Sequence, residues 1–331
     1  MSFSHIGIVG AGSWGTALGL VLSERAGQLT AWGHDPEHIA AITGRGENTI
    51  YLPGVPLPPQ MRFTAEMDAL RTCDLLLLVT PSKAMREVAE RLAAQRLPEH
   101  VVLLSCTKGV ERGTGLRMSG ILAEFFPRNP VAVLSGPSHA EEVARKKPTA
   151  VVLGCANATI AARLQQAFST RSFRAYTSDD VAGIELGGAL KNIFALAAGV
   201  SDGLGLGDNA KAAFVTRSLA ELIRLGVALG GRRETFQGLS GVGDLMVTCF
   251  SQHSRNRLVG ERLGRGEALD AIIASMHMVA EGVPTTYSAY ECAQRLGIPT
   301  PIIDQTRAVL DRACSPREGL ENLLRRDPRP E

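Results

Sequence analysis

The chain has 331 residues, 45% of them hydrophobic, and a formal net charge of +2 with its basic residues scattered along the sequence. This length suffices for two domains with cores of their own, and the composition is that of a soluble globular protein. The balanced and evenly spread charge gives no electrostatic reason to expect a nucleic-acid or membrane-surface partner.

Other features of the sequence suggest a cytoplasmic protein without a metal site. No apolar run reaches the roughly 18–20 residues that span a bilayer, so we expect no membrane anchor. The first strand begins near Ser4, so we expect no signal peptide. The six cysteines form no C-x-x-C pair and predict reduced, buried thiols. The seven histidines show no spacing typical of metal ligands, so no metal is predicted.

The first residues show the pattern of a dinucleotide-binding fold. An apolar strand, His5–Val9, runs into the sequence GAGSWG, and a helical pattern follows over Thr16–Arg25. Gly10 suits the tight turn, Gly12 lets the backbone approach a pyrophosphate, and Gly15 allows close packing of helix on strand. Strand, glycine turn and helix in this order predict that the chain binds NAD or NADP.

The end of the second predicted strand, Gln28–Trp32, bears on the choice of cofactor. Dinucleotide folds that bind NAD usually carry an acid here for the adenosine ribose. The expected position is Gly33 or His34, and Asp35 comes one or two residues late. A carboxylate would repel the 2′-phosphate of NADP and His34 could donate to it, so the sequence favours NADPH over NADH. Alternatively, Asp35 simply caps the helix that begins at Pro36.

Strands and helices alternate to about residue 177, which predicts a Rossmann-like α/β domain over residues 1–180. Continuous apolar strands suit a parallel sheet that is covered on both faces. A proline-rich extended loop is predicted over Glu47–Met61. Further strands are predicted at Cys73–Thr80, His100–Cys106, Val131–Ser135, Thr149–Cys155 and Ser172–Tyr176. Further helices are predicted at Ser82–Gln95, Gly115–Phe126 and Asn157–Phe168.

Two strand ends carry polar residues at the edge where parallel sheets bind ligands. Lys108 lies just after one strand and could meet a phosphate or carboxylate, although a surface lysine is an equally good interpretation. Another strand runs into Gly136 and Ser138, and Ser138 is predicted to form a capping box with Glu141 at the next helix.

From residue 181 only helical periods are found, so residues 181–326 are predicted as an all-helical domain and 327–331 as a flexible tail. Its first helix is apolar on all sides but has Lys191 and Asn192 in its middle. A buried ammonium must find a partner, reach solvent or release its proton, which makes Lys191 a candidate general acid or base. Alternatively, the stem of Lys191 covers apolar surface and its head reaches water. Later helices are predicted at Asn209–Leu229, Gly260–Ser275, Thr285–Leu296, Ile302–Ala313 and Arg317–Arg325.

Three polar clusters lie within this helical half. Ser201–Lys211 is predicted as a glycine-rich loop, and Asp244 stands between glycines and an apolar run. The sequence SRNR at 254–257 lies at a predicted helix start and suits a phosphate, because arginine donates in pairs and a helix N-terminus offers free N–H groups. The alternative is a capped, solvated helix end.

Taken in order, the segments GAGSWGTA, SCTKG, SGPSHAEEVA, GGALKNIFALAAGVSDGLGLGDNAKAA, GLSGVGDLMVTC, SRNR and VAEG closely resemble the NAD(P)-dependent sn-glycerol-3-phosphate dehydrogenases of bacteria. The resemblance covers about His5 to Leu324. It implies a cytoplasmic enzyme that interconverts dihydroxyacetone phosphate and glycerol 3-phosphate, and that supplies glycerol 3-phosphate for phospholipid synthesis.

The resemblance also assigns roles, with Lys191 as proton donor and acceptor. The one notable departure is Val279-Ala280-Glu281, where many relatives have a second valine before the glutamate. The implied substrate-binding residues are Lys108, Gly136, Ser138, Lys191, Asp244, Ser254, Arg255 and Asn256. With the glycines of the turn, the cofactor-binding residues are Gly10, Gly12, Ser13, Trp14, Gly15, His34, Lys108, Ala140, Arg255, Val279 and Glu281.

Two other functions remain open on the sequence. One is a different two-domain dehydrogenase, of the 3-hydroxyacid or 6-phosphogluconate type, which fits the SRNR and GPSH stretches less well. The other is a non-catalytic dinucleotide sensor, against which the set of Lys108, Lys191 and Asp244 argues. Dehydrogenases of this kind often dimerise, so a homodimer is expected.

Overall fold

A computed structural model of the chain describes residues 3–276 and 278–327. They divide into two compact units: the first contains 3–108 and 116–185, the second 109–115 and the described residues from 186 onward. The predicted domain division, at residue 180, lies just before this one, and the transfer of 109–115 to the second unit was not predicted. Apart from Asp327, the predicted flexible tail lies outside the described residues.

The first unit is built on one eight-stranded sheet with the order β3-β2-β1-β4-β5-β6-β7-β8. All neighbouring strands are parallel except β6 and β7. This sheet confirms the predicted Rossmann-like α/β fold; β3, at the end of the proline-rich loop, was missed. The strands are β1 (His5–Val9), β2 (Gln28–Trp32), β3 (Met61–Thr64), β4 (Leu75–Leu78), β5 (Val102–Ser105), β6 (Val131–Ser135), β7 (Thr149–Gly154) and β8 (Phe173–Ser178).

Alternate residues of the central strands face two separate apolar clusters. In β4, Leu75 and Leu77 belong to one cluster, while Leu76 and Leu78 belong to the other. The sheet is therefore covered on both faces, which explains the unbroken apolar run. The covering helices are α1 (Ser13–Leu22), α2 (Pro36–Arg45), α3 (Met85–Ala93), α4 (Met118–Phe125), α5 (Ala140–Ala144) and α6 (Ala158–Phe168).

The starts of α2 and α5 show whether Asp35 and Ser138 cap helices as predicted. Asp35 is the N-cap of α2 and accepts from the backbone N–H groups of Glu37 and His38, so the capping interpretation of Asp35 is confirmed. The capping box of Ser138 with Glu141 is wrong, because α5 begins after His139, which makes no side-chain cap. The Ser138 hydroxyl instead donates to the Gly136 carbonyl at 2.9 Å.

The second unit is helical. Helix α7 (Val181–Gly203) begins within the first unit and contributes most of its length to the second. Its further helices are α8 (Gly207–Ala228), α9 (Arg233–Phe236), α10 (Asp244–Phe250), α11 (Arg255–Gly264), α12 (Leu269–Ala274), α13 (Gly282–Leu296), α14 (Pro301–Leu310) and α15 (Pro316–Leu324), with a π-helical turn at Leu239–Gly243. The last helix begins with the capping box of Ser315 and Glu318.

Two expectations for this unit are wrong. The predicted loop Ser201–Lys211 is mostly helical, since α7 and α8 are joined by a short turn at Gly205 (φ +70°). The predicted helix Gly260–Ser275 is two helices, α11 and α12, separated at Gly266 (φ +93°). In each case a glycine in the left-handed region ends one helix before the next begins.

By length and composition α7 could span a membrane, contrary to the expectation that no apolar run is long enough, while the expected absence of a membrane anchor stays a prediction. Helix α7 has 23 residues, and its most apolar 18-residue window has a mean hydropathy of 1.4. That window is 83% buried within the structure, and a core helix passes the same test. Most of its apolar residues are buried, and Ile193, Phe194 and Leu196 are fully so. We therefore interpret α7 as a core helix.

Helices α7 and α11 pack with their backbones in close contact, through two glycines on each helix. A Cβ on Gly199 or Gly203 would overlap carbonyl oxygens of α11, and a Cβ on Gly260 would overlap the Leu196 carbonyl oxygen. A Cβ on Gly264 would lie 2.6 Å from the carbonyl oxygen of Val200. Because no side chain separates the two helices here, their spacing and register are fixed by backbone atoms.

Glu221 of α8 is a buried acid that holds the start of α14. Its two carboxylate oxygens accept from the backbone N–H groups of Ile302 (3.1 Å) and Ile303 (2.9 Å). Burial raises the pKa of Glu221 to about 7, although these two N–H groups act in the opposite direction. The folded chain therefore binds a proton at this carboxyl between about pH 4.5 and 7 that the unfolded chain releases.

We predict that this proton makes stability fall as pH rises. The free energy of unfolding, relative to Glu221→Gln, should decrease by up to about 3 kcal/mol between roughly pH 5 and pH 8. Chemical denaturation of both proteins across this range measures it. Glu90→Gln, on the exposed surface of α3, is the control. A difference between wild type and Glu221→Gln that does not change with pH would contradict the prediction.

Candidate active site

The glycine turn between β1 and α1 has the geometry expected for a pyrophosphate. Gly10 has φ +128°, and a Cβ there would lie 2.5 Å from the carbonyl oxygen of Val79. A Cβ on Gly15 would overlap the carbonyl oxygen of Gly10, so both positions need glycine for packing. Gly12 is different, since a Cβ there would meet no atom within 4 Å. The space beside Gly12 is therefore open at the N-terminus of α1.

Helix α1 begins at Ser13, three residues earlier than predicted. Gly12 is its N-cap, and the first turn contains no acidic residue. Ser13 is buried and Trp14 is half-buried. The Trp14 indole Nε1 is buried and has no hydrogen-bond partner in the part of the chain that the structure describes.

Three predicted substrate residues meet at one carbonyl oxygen of the first unit. The Gly136 oxygen accepts from Lys108 Nζ at 3.1 Å and from Ser138 Oγ at 2.9 Å. Gly136 has φ +138°, and a Cβ there would lie 3.0 Å from Val151 Cα. The structure therefore brings Lys108, Gly136 and Ser138 together, with Ala140 buried at the start of α5.

Three buried hydroxyls at neighbouring strand ends were not found from the sequence. Ser105 ends β5, Ser135 ends β6, and Thr80 follows β4. Within residues 3–276 and 278–327, none of the three hydroxyl oxygens has a hydrogen-bond partner. A buried hydroxyl without a partner costs about 1–3 kcal/mol, so these groups suit a polar ligand at the carboxyl edge of the sheet. These hydroxyls could have been found from the sequence, because in each case a polar residue lies at or just after the end of an apolar strand.

In the second unit, Lys191 is buried and bound by an acid and a hydroxyl. Its Nζ donates to Asp244 Oδ1 at 2.7 Å and to Thr248 Oγ1 at 2.6 Å. Lys191 is 6% exposed, Asp244 1% and Thr248 3%, so the interpretation of a lysine that reaches water is excluded. Sequence reasoning missed Thr248, although its position one turn after Asp244 on α10 places both on one helix face.

A second polar junction lies next to Lys191. Asn256 Nδ2 donates to Asn192 Oδ1 at 2.9 Å, and Asn256 Oδ1 accepts from the backbone N–H of Gly282 at 2.8 Å. The Asn256 amide therefore links α7, α11 and the start of α13. Asn192, the neighbour of Lys191 in the sequence, is thus bound to Asn256.

The remaining predicted residues of the second unit lie around the first turn of α11. Ser254 is the N-cap, and its hydroxyl accepts from the backbone N–H of Arg257. Arg255 donates to the carbonyl oxygen of Val279 at 3.1 Å, so two predicted cofactor residues are in contact. Glu281 is half-buried at the start of α13. Arg257 was considered for phosphate binding, but its guanidinium forms ion pairs within the protein.

His34 is exposed after β2, beside the N-cap Asp35. His34 stays a predicted cofactor residue. Asp35 lies one or two residues after the position expected for a ribose-binding acid. Its carboxylate accepts two backbone N–H groups, so its presence there is explained by helix capping.

Comparison with known proteins identifies the family of the chain. The family described as NAD-dependent glycerol-3-phosphate dehydrogenase N-terminus matches residues 5–161, and the corresponding C-terminus family matches residues 180–321. Together the two matches cover most of the chain.

Individual relatives are similar over their whole length. A glycerol-3-phosphate dehydrogenase [NAD(P)+] of Thioalkalivibrio sulfidiphilus is 47% identical, with 100% of both chains covered. One from Prosthecochloris aestuarii is 44% identical over 98% of this chain and 99% of that protein. A crystal structure of glycerol-3-phosphate dehydrogenase from Coxiella burnetii superposes with a TM-score of 0.94 at 37% identity, covering 98% and 99% of the two chains. The chain therefore belongs to the NAD-dependent glycerol-3-phosphate dehydrogenase family.

Proposed function

We propose that the chain catalyses the NAD(P)-dependent interconversion of dihydroxyacetone phosphate and sn-glycerol 3-phosphate. Family membership supports the substrate and the cofactor class. The observation that carries the proposal is the buried Lys191, bound by Asp244 and Thr248. A sensor that only binds the dinucleotide has no need of a buried cation fixed by two partners, whereas ketone reduction needs an acid.

Ketone reduction requires a hydride at carbon and a proton at oxygen. A bound nicotinamide supplies the hydride. The Lys191 ammonium stabilises negative charge as it develops on the carbonyl oxygen and then donates its proton to that oxygen. Asp244 favours the charged ammonium before the reaction, and Thr248 fixes the direction of Nζ. In the reverse direction, the neutral amine of Lys191 accepts the proton of the alcohol.

The substrate's phosphate requires a separate set of donors. We assign it to the first turn of α11, where Ser254, Arg255 and Asn256 lie at a helix N-terminus. Lys108, Gly136 and Ser138, in the first unit, keep the substrate-binding role that the family resemblance implies. Holding the phosphate makes the chemical step effectively intramolecular, since the carbonyl is then kept in place.

The residues of the first unit fit a dinucleotide. The open space at Gly12 and the absence of an acidic side chain in the first turn of α1 suit a pyrophosphate. The unpartnered Trp14 Nε1 and the strand-end hydroxyls offer donors to a polar ligand. In this unit, the residues that would hold the cofactor are Gly10, Gly12, Ser13, Trp14, Gly15, His34, Lys108 and Ala140. Arg255, Val279 and Glu281, in the second unit, keep the cofactor-binding role that the family resemblance implies.

The biological setting is part of the same proposal. We assign the enzyme to the cytoplasm, as a homodimer without a membrane anchor. NADPH is the preferred cofactor, and the physiological direction is reduction, which supplies glycerol 3-phosphate for phospholipid synthesis.

The function is tested by following nicotinamide absorbance with dihydroxyacetone phosphate and either NADPH or NADH. Lys191→Arg should lower kcat by at least about 100-fold, because arginine keeps the charge beside Asp244 but does not release its proton. Thr248→Ser, which keeps the hydroxyl, is the matched control and should retain most of the activity. Near-normal turnover by Lys191→Arg would remove Lys191 as the acid, and a wild type inactive with both cofactors would refute the proposed function.

Two glycine substitutions separate folding from cofactor binding. Gly12→Ala should leave Tm nearly unchanged, since its Cβ meets open space, but weaken NADPH binding. Gly10→Ala should destabilise the fold by about 1–3 kcal/mol, because of its positive φ and its contact with Val79. Thermal unfolding and fluorescence titration with NADPH measure both effects. Unimpaired NADPH binding by Gly12→Ala would place the pyrophosphate elsewhere.

His34→Asp tests the preference for NADPH. A carboxylate at this exposed position should raise KM for NADPH about tenfold relative to KM for NADH, because it repels the 2′-phosphate. Steady-state kinetics with each cofactor give the ratio. An equal change in both KM values would contradict a 2′-phosphate contact at His34.

A further inference from the structure

An acid in the last turn of α7 binds two cations from two other helices. Asp202 Oδ2 accepts from Lys211 Nζ of α8 at 2.9 Å and pairs with Arg257 Nε of α11 at 2.6 Å. A carboxylate is unfavourable at the C-terminal end of a helix, where the backbone dipole is already negative. Its position is therefore explained by the cations that it binds.

This ion cluster is largely shielded from water. The exposed fractions of the side chains are 17% for Asp202, 9% for Lys211 and 17% for Arg257. Lys211 Nζ also lies 4.7 Å from the centre of the Phe250 ring. A partly buried pair with two partners is screened less by salt than a surface pair, so it holds its geometry more firmly.

Arg257 connects this cluster to the proposed phosphate site. It lies in the first turn of α11, and its backbone N–H donates to Ser254 Oγ at 3.2 Å. Its guanidinium points to Asp202 and to Glu261, with NH1 at 3.4 Å from the Glu261 carboxylate. The same turn carries Arg255 and Asn256. Arg257 is thus anchored to the ion cluster by its side chain and to the first turn of α11 by its backbone.

The glycine contact between α7 and α11 sets their spacing and register close to the first turn of α11. A Cβ on Gly199 would overlap the carbonyl oxygen of Arg257, so Arg257 marks the beginning of that contact. Asp202 lies one turn further along α7 and reaches across to the Arg257 side chain. The ion pair adds a side-chain constraint on this turn to those of the Asn256 amide and the Ser254 cap.

We propose that Asp202 is a positioning residue for the substrate's phosphate. Through Arg257 it holds Ser254, Arg255 and Asn256 in the orientation that binds this dianion, and Lys211 fixes Asp202 from the other side. The proposal rests on the proposed function, since it assigns a phosphate to the first turn of α11. It gives a role to the Ser201–Lys211 segment, which the mechanism otherwise leaves unused.

The test compares Asp202→Ala and Arg257→Ala with wild type, at a temperature below the Tm of every variant. Each should raise KM for dihydroxyacetone phosphate about tenfold, with kcat within about twofold of wild type, because the phosphate site and not the acid is displaced. The Ki of inorganic phosphate as a competitive inhibitor should rise by the same factor. The double variant should be no worse than either single one, since both break the same contact.

Two variants serve as controls. Glu267→Gln removes the exposed ion pair of Arg262, on the same helix but at its other end, and should leave KM and Ki as in wild type. Arg257→Lys keeps a cation beside Asp202 and should recover most of the KM. This variant also keeps the proposal testable if both alanine variants fail to fold. A KM of Arg257→Lys equal to that of wild type supports the ion pair, and a tenfold increase in its KM overturns the proposal.

The outcomes distinguish the two proposals. A wild type that turns over dihydroxyacetone phosphate, with alanine variants whose KM and Ki are unchanged, overturns the role of Asp202 and leaves the function standing. Variants that lose kcat with an unchanged KM also overturn it. A wild type without activity on dihydroxyacetone phosphate refutes the proposed function itself.

Discussion

The candidate site depends on one buried cation, Lys191, in the middle of an apolar helix. Removing either Lys191 or Asp244 alone would take one charge out of a buried ion pair, which costs several kcal/mol. Helix α10, which carries Asp244, must therefore stay at a fixed distance from α7. The π-helical turn before α10 meets α7 at Gly187, where a Cβ would lie 2.5 Å from the carbonyl oxygen of Ser240. Close backbone contact thus supports the ion pair.

In each of the two units, a polar group among the predicted site residues binds two partners. The Gly136 oxygen accepts from Lys108 and Ser138, and the Asn256 amide joins Asn192 to Gly282. Such shared partners order segments that are far apart in the sequence, and they do so before any ligand arrives. Groups whose direction is fixed in advance need little reorganisation during the reaction, which is the main source of electrostatic catalysis.

The features that could be predicted from the sequence depend on local patterns. Strand β1 and the glycine turn follow from residues next to one another, and the burial of Lys191 follows from a helix that is apolar on all sides. The sequence allowed two interpretations of Asp35, as an acid that binds the ribose or as a helix cap, and the structure shows that it is the cap.

The features that could not be predicted depend on contacts between distant residues. Thr248 binds Lys191 from 57 positions away, and Arg257 turns to Asp202 instead of remaining available to a phosphate. Ser138 has the sequence context of an N-cap, but its hydroxyl binds Gly136. In each case the side chain had two chemically reasonable partners, and tertiary packing decided between them.

The glycine contact between α7 and α11 also limits how this protein can change over evolutionary time. At Gly199, Gly203, Gly260 and Gly264 every substitution adds atoms where backbone atoms already touch. Ordinary core contacts can be repacked by exchanging side chains of similar volume, but here there is no side chain to exchange. The distance between Lys191 and the first turn of α11 is thus protected from gradual drift, while the surrounding apolar residues remain free to vary.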